Sequence, residues 1–166
     1  MTAVDAQFGR LMKALDDAGR AEDTIVLFTT DHGDMLGSHG QRLKRKPWEE
    51  SIRVPGIVRF PAMIKPGGST EALLTHVDLA PTLLSLCGLT VPGEMQGSDL
   101  SGVMLGTTER GPDAAFFQRF VPFGGENTPR PWRGVRSGRH MYRRPREGPW
   151  PPPGPGSHPF ATQHPD

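Results

Sequence analysis

Thr24-Ile25-Val26-Leu27-Phe28-Thr29-Thr30-Asp31-His32-Gly33-Asp34 is the stretch on which the reading of this chain turns. Its first seven residues are β-branched or apolar and show no alternation, the pattern of a strand buried on both faces of a parallel sheet. At Asp31 the composition turns polar within a single step. Open α/β sheets place ligand-binding groups beyond the carboxyl ends of their strands, where side chains leave the ladder but stay anchored to it. The sequence therefore predicts an α/β fold with a functional loop from Asp31 through Gly40.

On the N-terminal side, Val4, Phe8, Leu11, Met12 and Leu15 recur at spacings of three and four, which predicts a helix over residues 3–18 closed by Gly19. On the C-terminal side, Ile57-Val58-Arg59-Phe60 reads as a strand after Pro55, and Ile64 to Gly68 as a turn. A helix is expected from Asp78, with Asp78 as its cap, Pro81 in its first turn, Leu79, Leu83 and Leu86 on its apolar side, and Gly88 at its end. Beyond Glu109 the chain becomes Arg-rich, yet Phe116, Phe117, Phe120, Val121 and Val135 point to strands or a packed loop. From Pro149 the sequence runs PWPPPGPGSHPFATQHPD, which removes backbone donors and carries no apolar period, so residues 148–166 read as a disordered Pro/Gly-rich tail. The abrupt change after Trp150 is the kind a shifted reading frame produces, with a natural Pro-rich tail as the alternative.

The 166 residues fit one domain, and 35% hydrophobic content is enough for a core. A net charge of +1, from 19 basic and 18 acidic side chains, gives no general pull toward nucleic acid or a membrane surface. Arg133, Arg136, Arg139, Arg143, Arg144 and Arg146, with Trp132 and Tyr142, share the composition of a nucleic-acid-binding tail, but no nucleic-acid partner is expected. Cys87, the single cysteine, has no internal partner for a disulfide and is expected in the core at a helix end. The N-terminus MTAVDAQFGRLMKAL carries an early Asp and no basic stretch before an apolar block, so it is not a secretory signal, and no apolar run approaches the roughly 20 residues a bilayer requires. No membrane partner is expected, and the compartment is left open, cytoplasmic by default.

Asp31 and His32 place a carboxylate oxygen beside an imidazole nitrogen, a pair able to ligate a divalent cation, although Asp-His-Gly also makes an ordinary turn. Lys44-Arg45-Lys46 presents cations just before Pro47-Trp48, and by charge alone such a run is a solvated surface. Glu49 and Glu50, taken as extended, would point in opposite directions and need not form an acid–base pair. His39 either faces a substrate or makes a loop hydrogen bond, and Trp48 is expected behind the lysine loop.

The run FTTDHGDMLGSHG, then Lys44 and PWEESIRVP, then HVDLAPTLLSLCGL and MQGSDL, resembles in content and order the second half of the sulfatase family, across residues 1 to 147. The resemblance implies the C-terminal portion of a mixed α/β domain related to alkaline phosphatase, a mixed sheet flanked by helices. It implies that Asp31 and His32 hold a divalent metal, Ca2+ first and Mn2+ as the alternative because imidazole suits softer cations. It implies that Lys44 binds the sulfate during catalysis, with Lys46 as the fallback. The family's nucleophile is a formylglycine made from the Cys or Ser of a Cys/Ser-x-Pro-x-Arg segment, which Cys87-Gly88-Leu89-Thr90 does not match. The expectation is therefore a sulfuric ester hydrolase that, in the complete protein, acts on a sulfate-ester small molecule or glycan, with no turnover by this chain alone. Two alternatives stand beside it: a phosphonate or phosphate mono- or diester hydrolase of the same superfamily, and a noncatalytic fragment.

Overall fold

The computed structural model describes residues 2–120 and 131–145. The first element, α1 (Thr2–Asp17), forms where the apolar period was read. It ends at Gly19, whose φ of +62° suits a residue without a Cβ, and the Arg20 N–H closes back on the Leu15 carbonyl at 2.9 Å. Phe8 packs edge-on against Phe28, with ring centroids 5.5 Å apart, which fastens the helix to the following strand.

That strand, β1 (Val26–Phe28), pairs antiparallel with β2 (Ile57–Arg59), with Leu27 opposite Val58. The expectation of a parallel strand buried on both faces is corrected here, since β1 is three residues long and half-buried. An unbroken apolar run specifies burial but not direction, and the return through the loop after Thr30 delivers β2 head to tail without a crossover helix. A short helix, α2 (Glu49–Ile52), lies on that return. Glu49 and Glu50 are therefore helical rather than extended, because four residues are too few to show a period in the sequence.

Helix α3 (His76–Leu86) begins at Thr75, not at Asp78. Asp78 sits in the first turn, where one carboxylate oxygen accepts the Thr75 N–H and hydroxyl, each at 2.7 Å, so the acid completes a capping box rather than being the cap. Pro81 lies beyond the first turn, correcting the second expectation for this helix. Its missing N–H leaves the Val77 carbonyl without a helical donor. Gly97 occupies that gap, and a Cβ there would stand 1.9 Å from Val77 O. Asp78 Oδ1 accepts the Ser98 N–H at 2.7 Å, and the fully buried Thr82 hydroxyl accepts the Leu100 N–H at 3.0 Å, so the Met95–Leu100 stretch is strapped along the helix. Asp99, just before the Leu100 N-cap of α4 (Ser101–Met104), accepts the Ser101 N–H at 2.8 Å. Cys87 follows the buried Leu86 but is exposed, contrary to expectation, because one step past Leu86 rotates it off the stripe of Asp78, Thr82 and Leu86.

Strands β3 (Ala115–Arg119), β4 (Trp132–Ser137) and β5 (His140–Pro145) form a separate antiparallel sheet in that order. A two-residue turn at Gly138-Arg139 joins the last two, with Gly138 at φ +45°. Trp132 and Gly134 are buried on one face of β4, and Arg136 and Arg143 contact the α2 region, so part of the Arg-rich segment serves packing. Val121, Arg146 and the tail at 148–166 lie outside the described residues. Among the described residues, no helix is long and apolar enough to cross a membrane.

Candidate metal and anion site

Where β1 stops, the backbone is fastened from two sides. The His76 ring Nε2 donates to the Thr30 carbonyl at 2.9 Å, tying the strand end to the start of α3. The Gly33 N–H donates to the Ser51 carbonyl at 3.0 Å, and a Cβ on Gly33 would lie 2.0 Å from Glu50 O. Only a residue without a side chain lets the loop press this closely on α2.

This anchoring orients His32. Its Nδ1 is 2.7 Å from the Gly33 carbonyl, which can only accept, so Nδ1 carries the proton. Its Nε2 is 2.6 Å from Lys44 Nζ, an ammonium that can only donate, so Nε2 presents its lone pair. Both partners dictate the same tautomer, the one in which a backbone carbonyl orients a histidine whose other nitrogen is available as a ligand. Asp31 Oδ2 stands 3.5 Å from the same Nε2, and the Asp31 side chain is 81% exposed. Donors at that separation can both reach one cation at about 2.0–2.5 Å. The pair thus fits part of a divalent-cation site, and among the described residues no group of three or more His, Cys, Asp and Glu is gathered that could hold a metal.

Lys44 reaches this point from an unusual loop. Leu36, His39, Leu43 and Arg45 all adopt positive φ without being glycine, at 47°, 53°, 64° and 74°. Each such residue costs on the order of 1 kcal/mol and persists only where its surroundings enforce it. Part of the enforcement is internal: the fully buried Met35 donates its N–H to the Leu43 carbonyl at 3.0 Å, and Asp34 accepts the Leu36 N–H at 2.8 Å. More comes from the second sheet. Trp132 Nε1 donates to the Arg45 carbonyl at 3.2 Å, Arg136 pairs with Glu49 at 3.1 Å, and the Arg143 guanidinium lies 3.3 Å from the centroid of the Trp48 ring. Burial pushes the Arg143 guanidinium down to about 10, which leaves it charged at neutral pH.

The structure therefore brings together Asp31, His32 and Lys44. Lys46 is held below its ordinary value, first by burial and then by the charge of Arg119, and its backbone N–H is tied to the Ser51 hydroxyl at 3.2 Å. His39 stacks on Trp48 with centroids 4.6 Å apart and its Nε2 faces Glu50 at 3.5 Å. Trp48 is buried, as expected of a residue behind the lysine loop. Sequence reasoning missed Trp132 and Arg143 as neighbours of that loop. Their aromatic and basic character was visible, but nothing local linked them to residues so far away in the chain.

The family model described as Sulfatase matches residues 1–89. An ulvan-active sulfatase of Formosa agariphila is 36% identical over 151 residues, covering 89% of this chain and 30% of that protein. A solved structure of a protein in complex with its substrate D-glucosamine-2-N,6-O-disulfate superposes with a TM-score of 0.78 at 34% identity, covering 86% of this chain and 29% of the other. A phosphonate monoester hydrolase from Silicibacter pomeroyi superposes with a TM-score of 0.74 at 25% identity, covering 86% of this chain and 30% of the other. The chain spans less than a third of the length of these relatives.

Proposed function

The chain belongs to the sulfatase family, and we propose that it furnishes the metal-binding pair Asp31–His32 and the anion-binding Lys44 of a sulfuric ester hydrolase. The observation that carries this reading is the convergence of the three side chains at the end of β1, with Lys44 Nζ 2.6 Å and Asp31 Oδ2 3.5 Å from His32 Nε2. A flexible ammonium suits a tetrahedral oxyanion because it supplies positive charge without demanding planar geometry. A divalent cation at Asp31 and His32, Ca2+ by preference and Mn2+ as the alternative, would supply Lewis-acid stabilisation of charge on the ester oxygens. Cys87, exposed at the end of α3, is not part of this cluster. The formylglycine characteristic of the family would come from another segment of the complete protein.

The substrate class is a sulfate-ester small molecule or glycan, a reading supported by similarity to a protein whose substrate is a disulfated glucosamine. Similarity to a phosphonate monoester hydrolase favours a second reading, hydrolysis of phosphonate or phosphate esters at the same site. A complete protein carrying this chain, assayed with nitrophenyl sulfate and with a phenylphosphonate ester, distinguishes the two. Preference for the sulfate ester, with turnover reduced about 100-fold or more by Lys44→Ala, is the expected result. Turnover indifferent to Lys44→Ala would remove Lys44 from the site. Preference for the phosphonate would establish the second reading.

A further inference from the structure

The loop that carries Lys44 holds its shape only in part through its own hydrogen bonds. Leu43 and Arg45, on either side of the lysine, both occupy the left-handed region at φ 64° and 74°, a conformation that side-chain-bearing residues keep only when other groups impose it. Besides the Ser51 hydroxyl on the Lys46 N–H and the His39 ring on Trp48, two groups that bear on the C-terminal flank come from one hairpin. The indole N–H of Trp132, a residue 5% exposed, donates to the Arg45 carbonyl, the peptide oxygen next after Lys44 on the C-terminal side. Arg143 covers Trp48 at 3.3 Å and reaches the Pro47 carbonyl at 3.4 Å. A planar guanidinium can lie flat on an indole and still direct an N–H outward, whereas an ammonium cannot do both.

We propose that Trp132 and Arg143 are positioning residues for Lys44: by gripping the Arg45–Trp48 stretch, the β4–β5 hairpin fixes where the ammonium starts from, on His32 Nε2 in the metal-free chain and within reach of an anion when a cation takes that nitrogen. The proposal rests on the reading of Lys44 as the anion contact. It makes the second sheet part of the site, acting on Lys44 through the Arg45–Trp48 backbone and the Trp48 ring.

The experiment uses the full chain, labelled with 15N, and three variants: Trp132→Phe, which keeps the ring and deletes the donor; Arg143→Lys, which keeps the charge and deletes the stack; and Lys44→Met as reference. The readouts are the His32 Nε2 resonance, which reports whether its lone pair accepts a hydrogen bond, the binding of inorganic sulfate, and the amide spectrum of β4 and β5. Lys44→Met should move His32 Nε2 to the position of an unbonded lone pair. Trp132→Phe and Arg143→Lys should each move it part of the way and weaken sulfate binding about fivefold, with the hairpin amides unchanged. If one variant disrupts those amides, the other decides. A wild-type Nε2 position in Trp132→Phe and Arg143→Lys, alongside a shifted one in Lys44→Met, overturns the clamp and leaves the role of Lys44 intact. If Lys44→Met itself changes neither the resonance nor sulfate binding, the reading of Lys44 fails, and the clamp fails with it.

Discussion

Lys44 Nζ lies 2.6 Å from His32 Nε2, while His32 Nδ1 donates to the Gly33 carbonyl at 2.7 Å. With Nδ1 committed as a donor, the ring has one lone pair to offer. An ammonium hydrogen and a metal ion cannot share it, so the lysine and a cation compete for the same atom. On the proposed reading, a cation bound there would displace the ammonium from Nε2 and leave its charge to an anion.

Removing this competitor should strengthen metal binding. A hydrogen bond involving a charged group is worth about 1.5 kcal/mol, close to a tenfold change in affinity. Lys44→Met should therefore bind Mn2+ about tenfold more tightly than the unmodified chain in titration calorimetry. Equal affinities would show that the lysine does not guard the lone pair.

The identity of residue 32 should tune which cation is taken. Imidazole nitrogen favours transition metals, whereas an amide oxygen suits Ca2+. His32→Asn is expected to shift selectivity toward Ca2+ at the expense of Mn2+, measured by competition between the two ions. Unchanged selectivity would mean that His32 is not a ligand.

Two glycines should respond to alanine with opposite signs. At Gly33 a methyl group would meet the Glu50 carbonyl oxygen at 2.0 Å, a backbone contact that cannot yield cheaply, so Gly33→Ala should cost about 3 kcal/mol. At Gly9, in the exposed part of α1, nothing lies within 4 Å of an added Cβ, and Gly9→Ala should stabilise by about 1 kcal/mol through helix propensity. Urea unfolding of both variants checks the pair. A neutral Gly33→Ala would mean that the loop does not rest on α2.

Asp99 should make a small acid-sensitive contribution. Burial alone would raise its carboxyl, but the Ser101 N–H and the hydroxyls of Ser85 and Ser101 outweigh that and hold it below the ordinary value of 3.8. Because the folded chain favours the charged form, the contribution is complete above 3.8 and is lost as pH falls through the folded value. Urea midpoints of the unmodified chain and Asp99→Asn should therefore differ more at about pH 6 than at about pH 3. A constant difference would leave Asp99 without this role. The effect is small because the carboxylate is largely in water.

The helices were legible wherever the apolar residues repeat over several turns, as from Val4 to Leu15. Their ends were less so: Thr75 and Asp78 are both good caps, and in a capping box the acid stands three residues inside, which invites a start placed too late. The direction of β1 was not legible, because an unbroken run from Ile25 to Phe28 carries no information about its partner. Asp31, His32 and Lys44, the residues proposed for the metal and anion contacts, were legible from motif order. The groups around them were not: the close approach at Gly33 depends on where Glu50 lies, and Trp132 and Arg143 meet the loop only after the second sheet has formed.

The gap left in α3 by Pro81 has a consequence for solvent exchange. The Val77 carbonyl, deprived of its helical donor, is covered by Gly97, and the amides of Ser98 and Leu100 are spent on Asp78 and Thr82. These two amides belong to a segment without helix or strand, yet each is held by a side chain from the first two turns of α3. The irregular strap and the helix thus open as one unit, and Ser98 and Leu100 should lose their protons at the pace of the helix interior rather than at that of a loop.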